Sequence, residues 1–513
     1  MKYLLNAKQS KAADSYAMEK IGIPSPVLME RASLAVTEEI VKSFDKNACI
    51  LIVAGTGNNA GDGIAIGRML YEKGYRPEIL RVGDPQKYSP QLQRQLQILD
   101  WYKPVFVEKI EKKYELIVDA IFGFGLSREI QGTYAEVISE INCNGAKVIA
   151  VDIPSGIHTD TGAIMGIAVK ADCTVTFTAG KAGLYLDPGR QYAGKILVRE
   201  IGIPVEPVLH DFPLTGIPEE VDLQVFEKRD EAGNKGSFSK VLVIAGSEKM
   251  FGAAYLSAMA ALKTGVGMVK VFTAENNRTA MATLMPEALL ECYSTKAGEW
   301  VSASPEEIST KKESVAQLVD ALSWADVTLI GPGLDQTEIS ERILYTFLLY
   351  NEKPFVMDAD ALNILSKYPE WWLLLKGRCI ITPHMGEMSR LTGKPVVDLK
   401  KDALTEARIL AAVRQVTCVM KDARTVIADP KGKAFINVHG NSALATAGSG
   451  DVLAGIITGI LGQAEKRVFG ENMRAETGEI AALGTFLHGL CGEKASEKYG
   501  KAAVTARNLL EYI

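Results

Sequence analysis

No two of the seven cysteines, at positions 49, 143, 173, 292, 379, 418 and 491, stand close enough to form a CxxC pair. That absence excludes a cysteine zinc site or dithiol redox centre of ordinary spacing. Scattered thiols of this kind read as buried side chains in a reducing compartment. An excess of one charge is also missing: 57 Lys and Arg against 62 Asp and Glu leave a net charge of -5. General electrostatic attraction to nucleic acid or an anionic membrane is therefore not expected. The longest apolar segment, Val452 to Leu461, is far short of the ~20 residues a membrane span requires. The opening MKYLLNAKQSKAADSYAMEK turns polar too early for a signal peptide. These absences point to a soluble, cytoplasmic protein with small-molecule partners.

What is present is a chain of 513 residues, 47% hydrophobic, long enough for two to four domains at the usual ~100 to 200 residues each. Short apolar runs ending in glycine, aspartate or proline recur throughout. The first half has CILIVAG, ELIVDAIFG, KVIAVDIPSG and CTVTFTAG; the second has KVLVIAGS, MVKVFTA, VTLIGPG, PFVMDADAL, RCIITPH and VTCVMKD. Between them GIAIGRMLYEKG and AYLSAMAALKTGVG repeat apolar residues at helical spacing. Alternation of this kind predicts α/β domains with parallel sheets, whose ligands sit outside the carboxyl ends of the strands. GIPVEPVLHDFPLTGIPEEVD, residues 202–222, has four prolines and no clear period, which marks a boundary. The expected organisation is a first domain at 1–210, a linker at 211–224 and a second domain at 225–513.

In the first domain, AGTGNNAGDG at 54–63 follows a strand and lacks the Lys-Ser or Lys-Thr of a Walker loop. Asp119 ends a second strand, and Asp152 and Ser155 follow a third. Gathered on adjacent strand ends, Asn59, Asp119 and Ser155 would form an all-oxygen pocket suited to a hard cation. Asp152 would remain for acid–base work. The bland alternative is that these aspartates cap helices and turns.

In the second domain, TAGSGDVLAGIITGI runs Ala447, Gly448, Ser449 and Gly450 into an apolar helix, with Asp451 at its start. Backbone N–H groups of such a loop can receive anionic oxygens, and the carboxylate can deprotonate a hydroxyl that attacks phosphorus. Asp358 and Asp360, in MDADALN, also end a strand; they either steer magnesium or cap the helix that follows.

GIPSPVLMERAS, NNAGDG, DAIFGFGL and VDIPSG together resemble the NAD(P)H-hydrate epimerase family. That resemblance implies a Rossmann-like three-layer fold and potassium held by Asn59, Asp119 and Ser155. It implies substrate contacts from Asn58, Asn59, Ala60, Gly61 and Asp62, and from Gly123, Phe124, Gly125, Leu126, Ser127, Arg128 and Glu129, with Asp152 binding substrate and acting catalytically. Ala60 stands where the family usually has glycine; at a positive φ its methyl would cost about 1–2 kcal/mol.

GSGD before an apolar helix resembles the ribokinase-like superfamily. NKGSFSKVLVIAGS, FGAAYLSAMAALKTGVGMV, IGPGLD, MDADALN, ITPHMGEMSRL and LATAGSGDVLAG, in this order, are similar to the NAD(P)H-hydrate dehydratases of that superfamily, across 225–513. Taken whole, the chain is similar to bifunctional NAD(P)H-hydrate repair enzymes. The resemblance implies hydrated NADH and NADPH (NADHX and NADPHX) as substrates. It further implies Mg2+ with ADP, or ATP, as phosphoryl donor, and AMP and phosphate as products when ADP is used. Ala253, Gly333 and His384 would touch the hydrate, Lys421, Asp422, Ala423, Arg424, Thr425 and Gly450 the nucleotide, and Asp451 the reacting hydroxyl. Ser239 and Ala447 replace family glycines, Met385 a proline, and Asp335 a loop-closing glycine. Asp422 would repel a phosphate unless it faces away. The runner-up reading is a ribokinase-like kinase for a small molecule such as a vitamin precursor, fused to a non-catalytic Rossmann-like binding module. A homo-oligomer is compatible with the sequence, which assigns no surface to one.

Overall fold

A computed structural model describes residues 1–209, 212–227, 231–295, 300, 313–375, 377–466 and 476–513. His210 and Asp211, within the proline-bearing segment expected to mark the boundary, lie outside the described residues. The chain divides into two units, Tyr3–Thr215 and Gly216–Ile513, and Met1–Lys2 group with the second. The sequence reading put those two residues in the first domain. The Met1 ammonium lies 3.0 Å from Asp222, and Lys2 Nζ lies 2.7 Å from Glu219, which explains their grouping.

The first unit is built on strands β1 (Ile50–Ala54), β2 (Glu78–Arg81), β3 (Val105–Val107), β4 (Leu116–Ala120), β5 (Lys147–Val151), β6 (Cys173–Phe177) and β7 (Lys195–Arg199). They run parallel in the order β3-β2-β1-β4-β5-β6-β7. Every residue of β1 and β4 is buried, as a parallel sheet covered on both faces requires. Ile50, Ile52 and Val118 enter one apolar cluster, and Leu51, Val53 and Ile117 the other. The alternation follows from the two-residue period of a strand. Helices α1 (Ala7–Tyr16), α2 (Ser25–Ser43) and α3 (Asn58–Glu72) precede or follow β1. Strand order reverses between β1 and β4, and at such a switch point the loops part and leave a crevice.

The second unit carries β8 (Lys240–Ile244), β9 (Met268–Ala274), β10 (Leu289–Tyr293), β11 (Val327–Ile330), β12 (Phe355–Met357), β13 (Cys379–Ile381), β14 (Thr417–Met420), β15 (Val426–Ala428) and β16 (Ala434–Ile436). Their order is β10-β9-β8-β11-β12-β13-β14-β15-β16. The expectation of purely parallel pairing is corrected here: β14–β15 and β15–β16 are antiparallel. The Asp429–Gly432 turn between β15 and β16 is too short for a crossover helix, so the chain can only fold straight back. Helices α4 (Phe251–Lys263), α5 (Asp360–Leu365), α6 (Met385–Thr392), α7 (Ser449–Lys466) and α8 (Thr477–Tyr499) follow their strands or close the unit. The apolar stretch beginning at Val452 is the buried body of α7, packed with α4 and α8 against Val241, Val243 and Leu329.

Among the described residues no helix is long and apolar enough to cross a membrane. All seven cysteines are free. Cys292, Cys379, Cys418 and Cys491 are buried as expected, but Cys143 is exposed near the end of a surface helix.

Candidate functional site

A cavity of about 690 Å3 opens at the switch point of the first unit. Asn58, Asn59, Asp62, Gly123, Phe124, Gly125, Leu126, Ser127, Arg128 and Asp152 line it. Ala60, Gly61 and Glu129 do not. Ala60 is fully buried inside α3, Gly61 packs on Met29, and Glu129 is exposed. The expected loop at 54–63 is in fact half helix, because α3 begins at Asn58. Ala60 accordingly has no positive φ, and the strain considered for its methyl does not arise. The first-turn N–H groups of α3, which lack intrahelical acceptors, belong to the same segment as the lining residues Asn58, Asn59 and Asp62.

Asp119 and Ser155 are brought together, though neither lines the cavity. Ser155 Oγ donates to Asp119 Oδ1 at 2.6 Å, and the Ser155 N–H donates to Oδ2 at 2.8 Å. The Phe122 N–H in turn donates to Ser155 Oγ at 2.9 Å. Burial pushes the Asp119 carboxyl up to about 6, against the pull of these hydrogen bonds. Asn59 packs against Gly123, where an added Cβ would lie 3.3 Å from the Asn59 side chain; its Nδ2 is buried without a partner among the described residues.

Asp152 follows β5 with φ of 69°, a conformation that costs a non-glycine residue about 1–2 kcal/mol. Its Oδ1 accepts from Lys181 Nζ at 2.7 Å and from Thr176 Oγ1 at 3.1 Å. Lys181, only 3% exposed, also donates to Thr176 Oγ1 and the Phe177 carbonyl. Among the described residues Asp62 has a buried Oδ1 without a partner, and burial, then Asp152 and Asp14, push its carboxyl well above the usual range. Sequence reasoning missed Lys181 and Asp14, both of which line the cavity. For Lys181 the signal was available: it stands just past CTVTFTAG, at the end of a strand run already recognised.

In the second unit, the ends of four adjacent parallel strands gather the expected residues. After β11, Gly333 has a φ of 62° and packs so close to Ala253 of α4 that an added Cβ would lie 2.8 Å from the Ala253 methyl. After β12, Asp358 is 1% exposed and accepts from Lys421 Nζ, beyond β14, at 2.8 Å. After β13 comes His384. Its Nδ1 accepts from the Gly386 N–H at 2.9 Å, so it caps α6. The ring proton then sits on Nε2, 3.4 Å from Glu387 Oε1. Burial, with Lys421 and Arg390, holds His384 below its usual range and therefore neutral. The Lys421 N–H donates to the Pro383 carbonyl at 2.8 Å, joining these two strand ends.

Neither strand-end aspartate after β12 caps α5: that helix starts behind Ala359, at φ 51°, with no side-chain cap. Asp360 instead accepts the Asp335 N–H at 2.8 Å. Lys421 also leans over the start of α7, because a Cβ added to Gly450 would lie 3.5 Å from its Nζ. Burial draws the Lys421 ammonium down, but Asp358, Glu387 and Asp451 outweigh it and hold the group above its usual value. Asp451, in the first turn of α7, is pushed up to about 7 by burial and the Asp358 charge, partly offset by Lys421. Glu387, which was not foreseen, is pushed to about 7 by burial, with Lys421 pulling the other way.

The rest of the KDART segment is engaged elsewhere. Asp422 pairs with Lys400 at 2.7 Å, which neutralises the charge expected to repel a phosphate. Arg424 donates to the Val438 carbonyl, and the Thr425 carbonyl accepts from the Asn437 N–H, so both belong to the β15–β16 hairpin frame. Among the described residues, no group of three or more His, Cys, Asp or Glu could hold a metal ion.

Comparison with known proteins supplies a separate line. The model of a family described as NAD(P)H-hydrate dehydratase matches residues 241–513, and that of the YjeF-related protein N-terminus matches residues 25–183. A bifunctional NAD(P)H-hydrate repair enzyme Nnr from Moorella thermoacetica is 34% identical, covering 100% of this chain and 96% of its own length. One from Thermofilum pendens is 33% identical, covering 98% and 94%. Among solved structures, the ADP/ATP-dependent NAD(P)H-hydrate dehydratase of Bacillus subtilis, co-crystallised with ATP/Mg2+, is 30% identical with a TM-score of 0.46, covering 58% of this chain and 95% of its own.

Proposed function

Since the chain belongs to the family of bifunctional NAD(P)H-hydrate repair enzymes, we propose that it restores NADH and NADPH from their hydrates, epimerising them in the first unit and dehydrating the S epimer in the second with ADP as phosphoryl donor. The observation that carries this reading is Asp451, in the first turn of α7 and in the field of Lys421 and Asp358. A carboxyl titrating near 7 suits a general base at neutral pH. Asp451 takes the proton of the ring hydroxyl as its oxygen bonds to the terminal phosphorus of ADP and the bridging P–O bond breaks, leaving AMP. Lys421 and the first-turn N–H groups of α7 offset the charge that develops on the transferred group. The ring nitrogen's lone pair then expels phosphate from carbon, and loss of a neighbouring ring proton restores the dihydronicotinamide. Magnesium would be held by nucleotide phosphates together with Asp358 or Asp360, since such ions are bound by one or two carboxylates plus phosphate oxygens. It would supply charge neutralisation.

In the first unit, the buried Asp119 carboxylate accepts only from neutral donors among the described residues, and the Asn59 side chain with its amide oxygen packs against Gly123. That donor set fits potassium, held by Asn59, Asp119, Ser155 and nearby carbonyls, and the ion would supply the missing positive charge. The test is turnover of a racemic NADH hydrate with ADP, magnesium and potassium. Full recovery of dihydronicotinamide absorbance is expected. Recovery that stops at half refutes the epimerase, and a stable phosphorylated product without free phosphate would make the second unit a kinase.

A further inference from the structure

The cavity of the first unit contains a carboxyl that none of the motifs includes. Helix α1 is fixed at its start: Asn6 caps it in a reciprocal pair with Gln9, and the Ala7 N–H donates to Asp160 Oδ1 at 2.8 Å. Ser10, Ala13 and Asp14 fall at helical spacing on one face, and all three line the cavity. Ser10 Oγ is buried and without a partner among the described residues. The Asp14 carboxylate accepts no hydrogen bond from any described residue. Asp152, on the same cavity, is in the opposite state, ion-paired with Lys181 and hydrogen-bonded by Thr176.

We infer that Asp14 is a catalytic residue of the epimerase, the proton donor and acceptor that works together with ion-paired Asp152 at the hydroxyl-bearing carbon. This rests on the epimerase reading above. Two carboxyls held in contrasting environments around one cavity divide acid and base roles between them. Burial, with Lys181 opposing and the Asp152 charge assisting, pushes Asp14 to about 6, so a proton is available there near neutral pH. The other charged groups on this cavity are Asp62 at the start of α3 and Arg128 on the loop after β4.

The step balances without an oxidant or reductant. Asp14 gives its proton to the substrate hydroxyl; the C–O bond breaks with its electron pair leaving on oxygen, water departs, and the ring nitrogen's lone pair forms a C=N bond. Water adds to the other face, a new C–O bond forms, the C=N pair returns to nitrogen, and the surplus proton passes to Asp152. The reverse direction starts from the resulting form, with Asp152 as acid and Asp14 as base. Both directions therefore need the pair to hold one proton.

The test uses the full chain without nucleotide, so that dehydration is silent, and follows R-to-S conversion of the NADH hydrate by chromatography. Asp14→Asn should lower kcat by about 100- to 1000-fold with KM within threefold, and Asp14→Glu should regain at least tenfold. Wild-type kcat/KM should fall tenfold per pH unit above the point where the pair loses its last proton, a limb absent from Asp14→Asn. A wild-type profile flat from pH 5 to 8, or an Asp14→Asn kcat within threefold of wild type, overturns the inference and leaves the epimerase reading intact. A wild-type chain that does not epimerise at all refutes that reading instead.

Discussion

Gly450→Ala separates a ligand role for the start of α7 from a folding role. Gly450 is not in the left-handed region, and a Cβ there meets nothing nearer than Lys421 Nζ at 3.5 Å and Asp358 Oδ2 at 4.0 Å. The methyl therefore fits the protein alone and removes a helix-glycine penalty of about 0.5–1 kcal/mol. A gain of that size raises the Tm of a large domain by about 2 °C. The same methyl occupies space beside the Lys421 ammonium and the helix N-terminus, where the phosphates of ADP are expected. Losing one charge-assisted hydrogen bond of about 1.5–3 kcal/mol corresponds to a rise in KM for ADP of roughly 10- to 150-fold. The assay is dihydronicotinamide absorbance with the S hydrate and varied ADP, alongside a thermal melt. Gly448→Ala is the contrast: its φ is 86° and an added Cβ would lie 2.5 Å from Leu256 Cδ1, so it should destabilise by about 1–3 kcal/mol. A Gly450→Ala protein with unaltered KM for ADP would show that nothing docks against this turn.

Three further outcomes are expected. Dehydratase kcat/KM should rise with pH through about 7, because Asp451 is pushed up to that value and acts only when ionised; Asp451→Asn should lose about 100- to 10,000-fold, and undiminished dehydration would remove the proposed base. Lys421→Met should cost about 3 kcal/mol in denaturant unfolding, since it strands the buried Asp358 carboxylate; a cost below ~0.5 kcal/mol would show that the pair contributes no more than a surface ion pair. Asp119→Asn should raise the potassium concentration for half-maximal epimerisation at least tenfold; an unchanged concentration would place the cation elsewhere.

The sequence made strand ends legible because parallel strands bury both faces: their runs are uniformly apolar, so the first polar residue after each run stands out. His384 comes after Thr382 and Pro383, whereas Asp119, Asp152, Asp358 and Lys421 announce themselves in this way. The thin edge strand β3 does not, since Val105 and Phe106 are exposed and follow no two-sided pattern. Nor does pairing: of the two alternatives for Asp358 and Asp360, capping of α5 is not realised because Lys421 and the Asp335 N–H, from other strands, claim those carboxylates. Asp422 looked hostile to phosphate for the same reason, as its partner Lys400 stands on a separate helix. Asp14 was hidden furthest, on a helix with no strand motif beside it.

The two sites share a charge arrangement that no single motif displays. In each, a lysine from one strand end lies 2.7–2.8 Å from an aspartate on another, Lys181 with Asp152 and Lys421 with Asp358. In each, a second aspartate sits in the same field without an ion-pair partner among the described residues, Asp14 in one and Asp451 in the other. The unpaired carboxyl is pushed up to about 6 in Asp14 and about 7 in Asp451, the condition under which a carboxyl can exchange a proton with substrate at pH 7. Removing either lysine would leave its partner aspartate buried without its ion pair. Each site therefore depends on its lysine as much as on the aspartates that would carry the chemistry.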